Sequence, residues 1–358
     1  MKKFLSLFMA LMLIVSVLTA CSKNNADAND TTAPETTAKE TESQTTDTEA
    51  EKDDVVLSEA PVRVFTLKGP TGMGMAPLLE SDEANTAKLN YEFTIANAAD
   101  EFTGNIVKGE FEIACVPTNL AAVLNTKTQG AIQVAAVNTL GVLYILESGE
   151  TITNIEDLNG KTIYSAGQGA VPEYALKYIL ETFDIDCEVI YEAEHDVVVA
   201  DLISNKADVV LLPEPKVTAA MKNENAPEDL RVALNLNELW EKACEKNNDD
   251  SSLYMGCIIV NKKWAEENPN ELSAFLDEYK ASVEMVNTDV DTAANLIAKF
   301  GIIPKAPLAK AALPNANIVF ITGEDMKNGL NGFFEVLHSY NPNSVGGTIP
   351  GEDFYLNN

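Results

Sequence analysis

The chain's 358 residues carry 55 Asp plus Glu against 25 Lys plus Arg, a formal charge of −30, with two His and five Cys. That balance excludes nucleic acid as a partner, because phosphate binding needs a basic surface, and it excludes adhesion to anionic lipid through side chains alone. Two His and scattered Cys argue against a protein-ligated zinc or copper site, and no cofactor is expected. At 46% hydrophobic and 22% charged, the bulk is ordinary globular material, enough for one large core or two smaller ones.

Residues 1–20 stand apart from that body. Lys2 and Lys3 precede an apolar run from Phe4 to Val15, too short to span a bilayer comfortably and flanked as a secretion signal is. Leu18-Thr19-Ala20-Cys21 closes it. A plain secretory signal with an incidental cysteine is the simpler reading. The string resembles the lipobox of bacterial lipoproteins, however, and lies at the right distance from the apolar run. That resemblance implies cleavage before Cys21, lipidation of its sulfur, and anchoring on the extracytoplasmic face of the cell membrane. Residues 21–59 are rich in Thr, Ala, Glu and Asp and contain no aromatic residue. Such a stretch buries too little apolar surface to offset the entropy of ordering it, and its like charges extend it, so it reads as a disordered acidic tether.

From residue 60 the pattern is that of alternating strands and helices. Val62–Leu67 is a β-branched and aromatic run closed by Gly69-Pro70-Thr71-Gly72. Tyr91–Ala96 and Phe111–Val116 read as further strands. The order recurs later. Lys161–Ser165 leads into Ala166-Gly167-Gln168-Gly169 and a helix with Leu176, Ile179, Leu180 and Phe183 on one face. Cys187–Tyr191 and Asp208–Leu212 are strands around a helical Val197–Ser204. The stretch 105–119 echoes 202–215, each running from a helix end through a polar turn and buried strand to Pro and a new helix. Strands alternating with helices imply parallel sheets with right-handed crossovers, and two such sets imply two α/β lobes. Gln133–Leu146 and Ser251–Val260 are each long enough to leave one sheet and enter the other. After Asn261 the chain is helical. Asn268 is an expected N-cap before Pro269, Leu272, Phe275, Leu276, Tyr279, Val283 and Val286 form an apolar stripe, and Gly301 ends a helix. These helices are expected to return over the first lobe. The expected division is 60–140 plus 258–358 for one lobe and 141–257 for the other.

Ligands of open α/β sheets bind beyond the carboxyl ends of the strands. Four loops there are legible: Gly69–Met73, Pro117–Asn119, Ala166–Ala170 and Pro213–Pro215. Helix starts leave N–H groups free and carry partial positive charge, so they hold an acceptor-rich solute without a basic side chain. Thr71, Thr118, Asn119 and Gln168 would add directional hydrogen bonds, Gly72 and Gly169 would allow close backbone approach, and Met73 would line the wall. The plainer readings are an ordinary turn at residues 69–72 and helix capping at Thr118 and Asn119. Glu214 either faces the cleft or complements its own helix start. Asn138 and Tyr144 lie near the crossover and complete the candidate set. Cys115, Cys187, Cys244 and Cys257 lack a Cys-x-x-Cys spacing and read as free thiols. His195 and His338 lie in no Ser-His-Asp or Cys-His pattern, and His195 reads as a helix start.

Three strings carry a family resemblance: Lys68-Gly69-Pro70-Thr71-Gly72-Met73-Gly74-Met75, Leu212-Pro213-Glu214-Pro215, and the ending Ser344–Tyr355. With the lipobox and tether, residues 60–358 resemble ABC-transporter substrate-binding lipoproteins of the nitrate/sulfonate/taurine type, akin to thiamine-pyrimidine-precursor proteins. The resemblance implies a two-lobe type II periplasmic-binding-protein fold with two crossover hinge strands. It also implies a monomer that binds a small-molecule ligand without catalysis and hands it to an ABC permease and its ATPase. Nitrate, sulfonates and pyrimidines all fall within that label. A ligand-reporting surface receptor and a pyrimidine-synthase-like enzyme are the alternatives on the same fold.

Overall fold

The computed structural model describes residues 57–356. The expected signal peptide, Cys21 and all but the last three residues of the expected tether lie outside the described residues. Leu57 packs on the core that follows, and the Ser58 N–H donates to Glu271 at 2.8 Å.

The chain builds β1 (Val62–Leu67), α1 (Pro70–Met73), α2 (Ala76–Glu83), β2 (Tyr91–Ala96), α3 (Asp100–Lys108), β3 (Ile113–Pro117), α4 (Thr118–Lys127) and β4 (Ile132–Thr139). It then crosses to β5 (Leu143–Ser148), β6 (Thr162–Ala166), α5 (Val171–Thr182), β7 (Glu188–Glu192), α6 (His195–Ile203), β8 (Val209–Pro213), α7 (Lys216–Met221), β9 (Leu230–Asn235) and α8 (Leu236–Asn247). A second crossing leads back to β10 (Gly256–Asn261), α9 (Lys262–Glu267), α10 (Pro269–Thr288), α11 (Val290–Lys299), α12 (Ala306–Ala312), β11 (Ile318–Ile321) and α13 (Gly323–Tyr340).

Two mixed sheets result, a six-stranded one ordered β11-β4-β10-β3-β1-β2 and a five-stranded one ordered β7-β6-β8-β5-β9. In the first, β1 runs parallel to β2 and β3, while β10 lies antiparallel between β3 and β4. In the second, β6 runs parallel to β7 and β8, while β5 lies antiparallel to β8 and β9. Strands covered on both faces read as unbroken apolar runs, as Ile113–Val116 does with every residue buried.

One face of the first sheet packs on Met73, Met75, Leu78 and Leu79 from α1, α2 and their junction, and on Phe275, Tyr279 and Val283 of α10. The opposite face meets α3, α4 and α13. The same apolar cluster continues without a break into the second lobe through Ile145, Ile163, Leu176, Ile179 and Trp240. Helix α13 therefore serves both lobes: its Phe333 lies 5.6 Å from the Trp240 ring of α8, and Tyr340 stacks on Tyr174 of α5 at 6.1 Å. The remaining face of the second sheet is closed by α6 and α7 through Val198, Leu202, Val217 and Ala220.

One cap differs from expectation. Asn268 precedes Pro269 at the start of α10, but its side chain makes no capping bond there. Its amide instead donates to the Trp264 carbonyl at 2.9 Å, closing the end of α9. With only a single residue between two helices, the free carbonyl of the first competes with the free N–H groups of the second. Gly301, by contrast, follows α11 with φ +68°, as a glycine after a helix end does.

Candidate functional site

The crossing from β4 to β5 sets the site's floor. Asn138 and Thr139 end β4, residues 140–142 cross, and Leu143 and Tyr144 begin β5. Asn138 is buried. Its amide donates to the Thr71 carbonyl at 3.1 Å, and its side-chain oxygen accepts the Thr139 hydroxyl at 3.1 Å. Across from them, a Cβ on Gly256 would lie 2.6 Å from Asn138 Oδ1 and 3.0 Å from both Thr139 Oγ1 and Thr71 Oγ1. The fold thus gathers Thr71 and Asn138 with Thr139 and Gly256, two residues outside the expected set.

Gly69 and Gly72 shape the loop that carries Thr71. Gly69 has φ 86° and ψ −163°, a conformation essentially restricted to glycine. Gly72 is needed for space: a Cβ there would lie 1.8 Å from the Leu67 carbonyl oxygen. Met73 is fully buried in the core and forms no part of an open wall.

Thr118 is also fully buried, and its hydroxyl donates to the Tyr254 carbonyl at 2.5 Å. It thereby pins the start of α4 to the second crossing, with its own N–H donating to Met255 O at 3.2 Å. Asn119 beside it is half-buried. No acidic residue lies in the first turn of α4.

In the second lobe Gln168 and Gly169 are exposed. The Gly169 N–H already donates to the Glu173 carboxylate of α5 at 2.5 Å. Glu214 has the same relation to α7. It is 2% exposed, and its two oxygens accept the Thr218 N–H at 3.1 Å and the Thr218 hydroxyl at 2.9 Å. Of the two sequence readings for Glu214, the helix-complementing one describes these bonds. Its backbone N–H donates to Val142 O at 2.9 Å, so the residue also abuts the crossing. Tyr144 donates its hydroxyl to the Asn315 carbonyl at 2.9 Å. Burial, then the Glu214 and Glu238 charges, push that hydroxyl up to about 12.

Burial raises the Glu214 carboxyl above its ordinary value, although the bonds from the Thr218 hydroxyl and N–H pull it down. An acid raised on folding binds its proton more tightly in the folded state. Its contribution to stability therefore falls as pH rises from the unfolded value to the folded one. Glu214→Gln keeps the shape and removes the charge. Its thermal midpoint, measured against the parent at pH 4 and pH 7, is expected to shift in the variant's favour at the higher pH.

His195 was legible only as a helix start. It opens α6 beyond the carboxyl end of β7, with a buried Nδ1 that has no hydrogen-bond partner. Burial lowers its pKa, helped by Lys216, whose ammonium pairs with Asp196 at 2.5 Å. Cys115, Cys244 and Cys257 are buried free thiols, and Cys187 is half-buried and free. Among the described residues, no group of three or more His, Cys, Asp and Glu side chains could hold a metal ion.

Comparison with known proteins agrees with this architecture. Residues 121–293 match the family model described as NMT1/THI5 like. An ABC transporter protein from Parabacteroides distasonis superimposes with a TM-score of 0.69 at 21% identity, covering 82% of this chain and 98% of the other. The periplasmic aliphatic sulphonate binding protein SsuA from Escherichia coli gives 0.63 at 14% identity, over 84% and 92%. The alkanesulfonate-binding protein SsuA from Xanthomonas axonopodis pv. citri, bound to MOPS, gives 0.58 at 11% identity, over 83% and 96%. No curated protein matches. The chain has the two-lobe type II periplasmic-binding-protein fold.

Proposed function

We propose that the protein is the extracytoplasmic solute-binding component of an ABC importer, held at the membrane by a lipid on Cys21. It captures a small polar molecule between its lobes and delivers it to a permease without chemical conversion. One observation carries the reading: the loop after β1 is bonded to the end of β4 through Asn138, and Glu214 after β8 is bonded to Val142 in the crossing itself, so a loop from each sheet meets the β4–β5 crossing beyond the carboxyl ends of its strands, where open α/β folds take their ligands. The likeness to sulphonate-binding proteins points the same way. So does the segment 1–21, which reads as a lipoprotein signal. Capture then follows from population shift, since a solute touching both lobes binds the closed form better than the open one.

The candidate loops constrain the solute. Glu173 and Glu214 already occupy the amide ends of α5 and α7 with negative charge. A dianion at that wall would meet like charges at a cost of several kcal/mol. A neutral or singly charged solute with hydrogen-bond donors toward the second lobe and acceptors toward α1 and α4 suits the site.

A thermal-shift panel of aliphatic sulfonates, nitrate and pyrimidines tests the reading. A ligand at one hundred times its Kd is expected to add about 2.7 kcal/mol of stability, and small-angle scattering is expected to show compaction with the same compound. A tight ligand that leaves the scattering curve unchanged overturns capture by closure.

A further inference from the structure

The floor of the site is lined with oxygen. A Cβ on Gly256 would lie 2.6 Å from Asn138 Oδ1 and 3.0 Å from both Thr139 Oγ1 and Thr71 Oγ1, so side-chain oxygens of three residues converge on one point above a glycine. These residues come from three places in the chain: Thr71 follows β1, Asn138 and Thr139 end β4, and Gly256 opens β10 opposite Thr139. Hydrogen-bond accounting decides what the point can receive. The Asn138 amide nitrogen donates to the Thr71 carbonyl at 3.1 Å, which leaves its oxygen as the atom turned to the cradle. The Thr139 hydroxyl donates to that oxygen at 3.1 Å. A hydroxyl carries one hydrogen and two lone pairs, and an amide oxygen two lone pairs. Thr139 Oγ1 therefore has no hydrogen left and accepts only, as does Asn138 Oδ1 with its remaining lone pair. Thr71 is half-buried, and its hydroxyl has no hydrogen-bond partner among the described residues, so it turns to suit what arrives.

We propose that Thr71, Asn138 and Thr139 form an acceptor cradle over Gly256 for an N–H group of the solute, so that the captured molecule carries an amine, amide or ring N–H and is not an oxyanion. The inference rests on the reading of the crossing as a solute site and names the chemistry of the solute there. The point of convergence lies one bond length from the Gly256 Cα, so the donor nitrogen sits just beyond it with its hydrogens turned into the cradle. Nitrate or a sulfonate would bring lone pairs and negative charge against these oxygens, with no cation to offset them. The chain's two arginines, Arg63 and Arg231, are engaged elsewhere, each paired at 2.6 Å with a carboxylate, Glu112 and Glu147. Both lie near the strand ends away from the crossing, since β1 reaches the Thr71 loop from Leu67 and β9 meets Tyr144 through Asn235. Glu214, which abuts the crossing, adds a negative charge that suits a donor and disfavours an anion. Gly256 thereby becomes a specificity-determining position, because any side chain there fills the cradle from below. A donor at the floor adds to the acceptors that suit the starts of α1 and α4.

Matched probes separate donor from acceptor. Methanesulfonamide is compared with methanesulfonate, and aminopyrimidine with methylpyrimidine, by ligand-observed NMR titration of the full chain. The N–H member of each pair is expected to bind about tenfold tighter, the worth of roughly one hydrogen bond. Thr71→Val removes a hydroxyl that has no protein partner and leaves the carbonyl that Asn138 holds, so the thermal midpoint should hardly move. Its affinity for the better-bound N–H probe is expected to fall by a similar factor, and Thr71→Ser, which restores the hydroxyl, to retain the parent affinity. Gly256→Ala should abolish binding; if that variant does not fold, the two Thr71 variants carry the test alone. Methanesulfonate binding tighter than methanesulfonamide overturns the cradle and leaves the solute reading standing, as does unchanged affinity in Thr71→Val. A lowered midpoint in Thr71→Val, with Thr71→Ser equally weak in binding, overturns the cradle too, because Thr71 would then support the loop and not the solute. If no member of either pair binds, the solute reading falls and the cradle with it.

Discussion

Gly72→Ala is expected to cost about 3 kcal/mol of stability, at the upper end of what overpacking brings, and to abolish binding of any hit from the solute panel. The added Cβ would sit 1.8 Å from the Leu67 carbonyl oxygen and 3.0 Å from its carbon. Both atoms are backbone at the end of β1, so no side-chain rotation relieves the contact. The loop must move instead, and Thr71 moves with it. Thr71 is tied to Asn138 through its carbonyl, so the shift breaks the side-chain bond that seats this loop on β4. Chemical denaturation gives the stability term, and titration calorimetry with the hit gives the affinity. Gly69→Ala is the informative neighbour. A Cβ there meets nothing within 4 Å, but the backbone at φ 86° is one that side-chain-bearing residues avoid. It should lose about 1–3 kcal/mol through conformational strain alone. If Gly72→Ala proves milder than Gly69→Ala, the close packing of α1 on β1 is not what holds the loop.

The sequence made legible those parts of the architecture that rest on periodicity. Buried strands announce themselves as short apolar runs, which is why Val62–Leu67, Tyr91–Ala96 and the run from Gln133 to Leu146 read correctly as strands or as a crossing. The two-lobe fold followed from the recurrence of those runs. Side-chain destinations were harder. Thr118 is an ideal residue to open a helix, yet its hydroxyl goes to Tyr254, 136 positions away. The Gly169 amide looks free on paper, but Glu173 folds back on it. Asn317 lies in a Pro- and Asn-containing turn with no motif about it, yet its amide donates to the Gly141 carbonyl of the crossing, because β11 pairs with β4 and so brings that turn beside it. Contacts of this kind are set by sheet order, which local pattern does not encode. The loops were visible from sequence; what each side chain does in them was not.

Trp240→Ala is expected to lose about 3–5 kcal/mol, the range for emptying a buried aromatic site, and to loosen the junction of the two lobes. The indole is fully buried. It packs 4.5 Å from Tyr178 of α5 and 5.6 Å from Phe333 of α13, and its N–H donates to the Ser251 hydroxyl at 3.1 Å on the second crossing. One side chain therefore joins a helix of the second lobe, the helix that both lobes share, and the connection from α8 to β10 that returns the chain to the first. Aromatic neighbours at these separations contribute beyond the area they bury, and the cavity left by truncation is walled by elements that cannot all collapse inward without moving the crossing. Trp240→Phe separates the two components. It keeps most of the ring and gives up the N–H, while Ser251 retains its bond to Asp249 at 3.2 Å, so the loss should stay near 1–2 kcal/mol. Equilibrium denaturation measures both, and scattering of the folded Trp240→Ala protein should report a larger radius of gyration. A loss below about 1 kcal/mol for Trp240→Ala, well under what cavity formation demands, would mean that the apolar cluster is not continuous between the lobes, and that their relative position is set by the two crossings alone.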